Sequence, residues 1–321
     1  MSRGLAAAAL LLLVLAAAAL LLPWAPLQAV WQEDRSLATT VLFELRLPRA
    51  LLALIYGATL GITGAALQAL FANPLASPDI TGGSSGAALG AVVGGYWLGL
   101  TGPLELAACG AVGALLALLL LLLAAGRRAE TSTLLLAGLA ISLAAGAATS
   151  LLLALAPSPF AFYDSFAWLM GSLVDRSLAQ VAAAGVPALL ACSLLLARTA
   201  ALDSLALGED VAASLGFAPG QLRVEIVAAS AIAVGACVSV CGAVGFVGLI
   251  APVLARRLTG GHPGRAMLPA AIIGAALLLG ADLLTRVAPL GRSIPLGVIT
   301  AVAGTPLFLW IVVRMRWRLT A

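Results

Sequence analysis

RLPRALLALIYGATLGITGAALQALFANPLASPDITGGSSGAALG, residues 46–90, opens with Arg46 and Arg49 on either side of Pro48 and then runs apolar for about twenty residues before breaking at Asn73-Pro74-Leu75. Proline in the first helical turn gives up no internal hydrogen bond, so Pro48 starts a helix instead of interrupting one. Gly57, Gly61 and Gly64 recur three or four residues apart and make a smooth stripe against which a second helix can come close. Pro78, Gly82, Gly83 and Gly86 follow too densely for a regular helix facing lipid. Lipid offers no hydrogen bonds, so that backbone must be wrapped in protein or line a cavity.

The whole chain shares this character. Of its 321 residues, 63% are hydrophobic and 9% charged, and the mean hydropathy is +1.14. Such a chain cannot cover itself with polar surface and reads as an all-α integral membrane protein. At about 20 residues per span there is room for about ten transmembrane helices; the alternating strands of a barrel are absent. All 17 basic residues are arginine. A phosphate-binding loop needs a lysine on the β and γ phosphates, so this chain cannot hold ATP in that way. The arginines are scattered at span ends, which gives no reason to expect a nucleic-acid partner.

Apolar runs and their breaks place spans at about 5–22, 48–71, 83–100, 103–124, 132–155, 178–198, 222–243, 247–258, 267–287 and 295–314. The first could be a cleaved signal, but its apolar run is longer than the usual signal core, which favours a span. Residues 25–47 carry a polar surface helix. With a cytoplasmic amino terminus, eleven arginines fall inside and six outside, so both termini are expected in the cytoplasm. The eighth span is short and contains Pro252, a sign of a transport pathway. A shift of 178 residues lays Gly57 on Gly235, Gly64 on Gly242 and Pro74 on Pro252, suggesting two inverted-repeat-like halves.

The motifs carry a resemblance as well. The RLPR opening, the small-residue helix with Gln68 and the Asn73-Pro74-Leu75-Ala76 turn are similar to those of permease subunits of type II ABC importers, the iron-chelate, haem and vitamin B12 uptake family. Matching stretches follow at 134–138 (LLLAG), 168–173 (WLMGSL), 207–209 (LGE), 245–252 (GFVGLIAP), 295–298 (PLGV) and 304–306 (GTP). Members commonly carry histidine after the equivalent of Pro252, where this chain has Val253. The resemblance implies one permease domain over residues 1–321, in a bacterial inner membrane. It also implies a second permease copy or paralogue, two ATPase subunits that hold the ATP and Mg, and a periplasmic or lipid-anchored binding protein.

Candidate residues follow from both lines. Arg46 and Arg49 lie one turn apart, and Arg286 ends the ninth span on the same outer side. They are either interface anchors, with Glu44 available to Arg46, or acceptors for carboxylates of a docking protein, the role the resemblance favours. Asp282 and Arg286 stand at i,i+4 spacing and predict an intrahelical ion pair. Residues 199–221, TAALDSLALGEDVAASLGFAPGQ, form the one sizeable polar insertion on the cytoplasmic side. Leu205–Leu215 has helical spacing, with Asp203 or Ser204 as cap and Gly216 as stop. By resemblance it is a coupling helix for the ATPase, with Leu207, Gly208, Glu209, Asp210, Leu215 and Gly216 as contacts. Asn73 with Leu75, and Thr131 with Ser132, are local caps or, by resemblance, a cytoplasmic gate.

No catalytic set, metal site or cofactor is expected in this chain. Cys237 and Cys241 at i,i+4 have no His, Asp or Glu nearby and read as packing residues. No acid sits at the centre of a span, which disfavours the alternative of a stand-alone secondary carrier or channel. The expected function is the permease subunit of an ATP-driven importer of a bulky iron chelate, a ferric siderophore ahead of haem or cobalamin.

Overall fold

The computed structural model describes residues 3–79, 81–125, 131–156, 166, 168–287 and 294–319. Every regular element among them is helical. In chain order the α-helices are α1 (Arg3–Leu21), α2 (Trp24–Glu33), α3 (Arg35–Thr40), α4 (Leu47–Leu70), α5 (Gly83–Val92) and α6 (Pro103–Ala125), with π-helical stretches Val41–Arg46 between α3 and α4 and Val93–Trp97 after α5. There follow α7 (Thr131–Ala154), α8 (Leu178–Ala197), α9 (Thr199–Leu205), α10 (Glu209–Ser214) and α11 (Pro219–Cys241), then α12 (Val247–Leu258), α13 (Met267–Val287) and α14 (Leu296–Leu319). The surface helix expected over 25–47 is α2 and α3, the latter capped by Asp34, whose Oδ1 accepts from Ser36 N at 2.8 Å.

Seven of the described helices are long and apolar enough to cross a bilayer, and the apolar part of α14 is shorter, Leu296–Trp310. The other two expected spans are partial. α5 has 10 residues and runs on as a five-residue π-helix, Val93–Trp97, and α12 has 12, so at about 1.5 Å per residue they reach only about 20 and 18 Å, short of the roughly 30 Å hydrocarbon core. Each follows a long helix across a sharp break.

Lipid would leave the backbone at those breaks without partners, and protein groups supply them. In the first, Asn73 Oδ1 accepts from Leu75 N at 2.9 Å, Thr81 Oγ1 donates to Pro78 O at 2.8 Å and Ser142 Oγ of α7 donates to Asp79 O at 2.7 Å. In the second, two buried side chains of α4 reach across: Tyr56 donates to Gly242 O and Gln68 Nε2 to Leu249 O, each at 3.1 Å. Pro252, which has no N–H, lies inside α12 one turn beyond Gly248.

The glycine stripe of α4 does what its spacing implies. A side chain on Gly57 would meet the backbone of Gly274 and Ala275, on Gly61 that of Ala270, and on Gly64 that of Gly248. Thus α4 packs along α13, and α11 packs along α6 in the corresponding way. The halves exchange partners: the long helix before one break lies on the long helix after the other. The residue register, however, is not the 178-residue shift. Pro74 stands in a turn after α4 whereas Pro252 is inside α12, because glycine recurs too often in this chain for such coincidences to fix an alignment.

Candidate functional site

At the end of the bundle where α4 begins, three arginines converge on one carboxylate and one helix terminus. Asp282 of α13 is 1% exposed. It accepts from Arg49 Nε at 2.7 Å and from Arg286 Nη2 at 2.6 Å. Arg49 Nη2 also donates to Thr285 Oγ1 at 2.9 Å. The last carbonyls of α1 take the rest: Arg286 Nη1 donates to Ala19 O at 2.6 Å, and Arg46 donates to Leu20 O at 2.9 Å and Pro23 O at 3.0 Å. Cationic groups at a helix carboxyl end satisfy carbonyls that the helix leaves open. Arg46 thus bonds the end of α1, and not Glu44. The expected Asp282–Arg286 pair is present, joined by Arg49 from 233 positions away. All three arginines are drawn into the protein and share one end of the bundle.

At the opposite end, residues 199–221 form two short helices in place of the single one expected over 205–215. Gly208 breaks them with φ 112° and ψ 154°, a conformation that side-chain-bearing residues rarely adopt. Gly216 ends α10 at φ 88°. Asp203 caps nothing within the insertion; its carboxylate accepts from Gly264 N at 2.8 Å and faces Arg265 at 3.7 Å. Ser204 Oγ donates to Ala200 O. Glu209 pairs with Arg223 at 2.7 Å, and Arg198 with Glu225 at 2.9 Å. The insertion is therefore fastened to the bundle, with Ala201, Leu202 and Ala212 buried beneath it. On its outer side Leu207, Val211 and Leu215 are 70, 41 and 59% exposed.

Two regions thus stand out, an arginine cluster at one end and a fastened, apolar-faced insertion at the other, joined by helices with two broken crossings. The FecCD transport family model matches residues 5–314. The chain belongs to that family. Among curated FecCD-type relatives, a vitamin B12 import system permease protein of Vibrio cholerae is 38% identical over 87% of this chain and 84% of its own. An Fe(3+) dicitrate transport system permease protein of Escherichia coli is 36% identical over 92% of each chain. A solved chain described as a metal-chelate type ABC transporter in an inward-facing conformation superposes with a TM-score of 0.86, covering 98% of this chain and all of its own, at 30% identity. The protein is a multi-pass permease of the metal-chelate and vitamin B12 type of ABC importer.

Within this FecCD fold the gate candidates divide. Asn73 spends its side-chain oxygen on the Leu75 backbone, and Leu75 is half-buried. Thr131 and Ser132 open α7, and their side chains lie outside the described residues. Asp210 and Leu215 sit on the exposed side of α10 and its end.

Sequence reasoning passed over Tyr56 and Gln68 as partners for the second break, since nothing local marks a backbone carbonyl that far along the chain. Val211 had a signal that went unused, its spacing of four from both Leu207 and Leu215. Glu209 is the exposed member of its pair with the largely covered Arg223, so Glu209→Gln is expected to change stability by about 1 kcal/mol or less, leaving the thermal midpoint in nanodiscs nearly unmoved.

Proposed function

We propose that this chain is the single transmembrane permease domain, residues 1–321, of an importer for a bulky iron chelate, with a ferric siderophore ahead of haem or cobalamin. It works as a pair with a second copy or paralogue in a bacterial inner membrane, both termini in the cytoplasm. Two separate ATPase subunits carry the ATP and Mg; no hydrolysis takes place on this chain. The arginine end faces outward, and Arg46, Arg49 and Arg286, bonded within the chain, belong to the surface that receives a binding protein. Asn73, Leu75, Thr131 and Ser132 lie at the cytoplasmic gate.

The observation that carries the ATPase partnership is the row of Leu207, Val211 and Leu215, exposed at intervals of four on an insertion otherwise fastened to the bundle. Large apolar side chains left exposed on an anchored surface mark a protein contact, with Leu207 before the Gly208 break and Val211 and Leu215 after it. Glu209, Asp210 and Gly216 border the row. ATP binding on the partner would push this element and shift the bundle between states that bind the partner with different affinity. Support for an iron chelate is the similarity to a permease named for Fe(3+) dicitrate transport; the similarity to one named for vitamin B12 import supports cobalamin as the alternative.

The double substitution Leu207→Glu with Leu215→Glu is expected to abolish copurification with the cognate ATPase while leaving the melting curve of the chain unchanged. Vesicles holding the permease and ATPase should accumulate chelate only when ATP is enclosed. Uptake by the permease alone without ATP would overturn the proposal in favour of a secondary carrier.

A further inference from the structure

Beside the arginine cluster lies a fourth, half-buried arginine with one donor unspent. Arg176 precedes α8, and its Nε is buried without a hydrogen-bond partner. No carboxylate among the described residues pairs with it. Burial lowers its pKa from the usual arginine value, opposed by the nearby Cys241 and Asp175. An uncompensated buried guanidinium is costly. Arg46, Arg49 and Arg286 already hold acceptors on Asp282 and the end of α1, although the Arg286 Nε is likewise unbonded.

The position of Arg176 is built. The preceding segment is tied on two sides: Ser172 N donates to Cys241 O at 2.8 Å, Leu296 N to Gly171 O at 2.9 Å, and Gly297 N to Met170 O at 3.0 Å. On its other side, Ser177 and Gln180 form a reciprocal cap that starts α8. Arg176 is therefore clamped between two fixed points.

It also stands in the wall between two cavities. One, of about 300 Å³, is bordered by Arg49, Ser172 and Thr285. The other, of about 220 Å³, is bordered by Tyr96, Gln180 and Val240. Trp168 and Arg176 line both. Each chamber is at or below the lower end of small-molecule sites, too small for a bulky chelate and suited to a compact anion. Arg49 and Arg176 line the larger chamber against the one lining carboxylate, Asp282, with Asp175 beside Arg176 as a further acid.

We propose that Arg176 is the anion-binding residue of a two-chambered site for a small carboxylate-bearing molecule. The guanidinium takes the carboxylate in the bidentate manner arginine favours, and the remainder of the molecule lies against Trp168.

Trp168 supplies the readout. The full chain in nanodiscs is titrated with succinate, with neutral succinamide and sodium chloride of matched ionic strength as controls. Succinate should give a saturable change in tryptophan emission that disappears in Trp168→Phe. In Arg176→Gln the half-saturating concentration should rise about tenfold, as loss of a charge-assisted contact implies, and Arg176→Lys should recover part of it. An unchanged melting curve for Arg176→Gln confirms that it folds. An equal response in Arg176→Gln overturns the site. So does a response to a glutamate hexapeptide with none to succinate, which would assign Arg176 to a docked protein.

Discussion

Asp282→Ala is expected to destabilise the folded chain by about 3–5 kcal/mol, the usual cost of removing one partner from a buried ion pair. Asp282 receives both Arg49 and Arg286 and is itself almost wholly buried. Without it two guanidinium groups are left side by side, desolvated and mutually repelling. They cannot swing out to water cheaply, because Arg49 is also bonded to Thr285 and Arg286 to the end of α1. The loss is a large share of a typical stability of roughly 5–15 kcal/mol. Thermal unfolding in nanodiscs should show a markedly lower midpoint and loosened packing of α1. Asp282→Asn, which keeps the shape and an acceptor oxygen, should fall between parent and alanine variant. Replacing the whole set, Asp282→Leu with Arg49→Met and Arg286→Met, should recover part of the loss, since apolar groups can substitute for a buried ionic cluster. A midpoint for Asp282→Ala equal to that of the parent would remove the cluster from any account of stability.

Gly61→Val is expected to do more harm still. Even a single methyl group at Gly61 would be driven into the carbonyl of Ala270. Gly57 and Gly274 meet in the same seam, so no local side-chain adjustment makes room and α4 must move off α13. Overpacking a tight core costs typically about 1–3 kcal/mol and more where backbone has to shift, and here the contact runs the length of two crossing helices. In a membrane there is little solvent-driven attraction between helices to offset it; close approach of small residues is what holds them. Gly280 is the internal control. It too lies in α13, but nothing stands within 4 Å of a side chain placed there, so Gly280→Ala should be neutral or stabilising by up to about 1 kcal/mol through helix propensity. Expression level and detergent melting of Gly61→Ala, Gly61→Val and Gly280→Ala should follow the order Gly280→Ala, Gly61→Ala, Gly61→Val from most to least stable. A Gly61→Val chain that melts with the parent would refute the seam.

Much of this molecule is legible in one dimension for a reason peculiar to its solvent. Lipid obliges the backbone to bond within each helix, so the apolar runs mark the crossings almost directly. The span expected over 247–258 has the bounds of α12, and the breaks expected near Pro74 and before Pro252 are where α4 and α11 end. The same logic marked residues 199–221 as an exposed, structured insertion. It failed at Gly208 because apolar spacing measures which face a residue lies on, and a single left-handed glycine interrupts the helix without disturbing that spacing.

What composition and pattern determined, then, was the class: a helical membrane protein with interrupted crossings and small residues lined up for close packing. Tertiary structure alone decided which glycine is indispensable, Gly61 and not Gly280, and which arginines are engaged, Arg49 by an acid 233 positions away while the Nε of Arg176 is buried without an acceptor among the described residues. Hydropathy follows from each residue's own transfer between water and lipid and can be read residue by residue. Pairing depends on distances between distant segments, which exist only once the helices have packed.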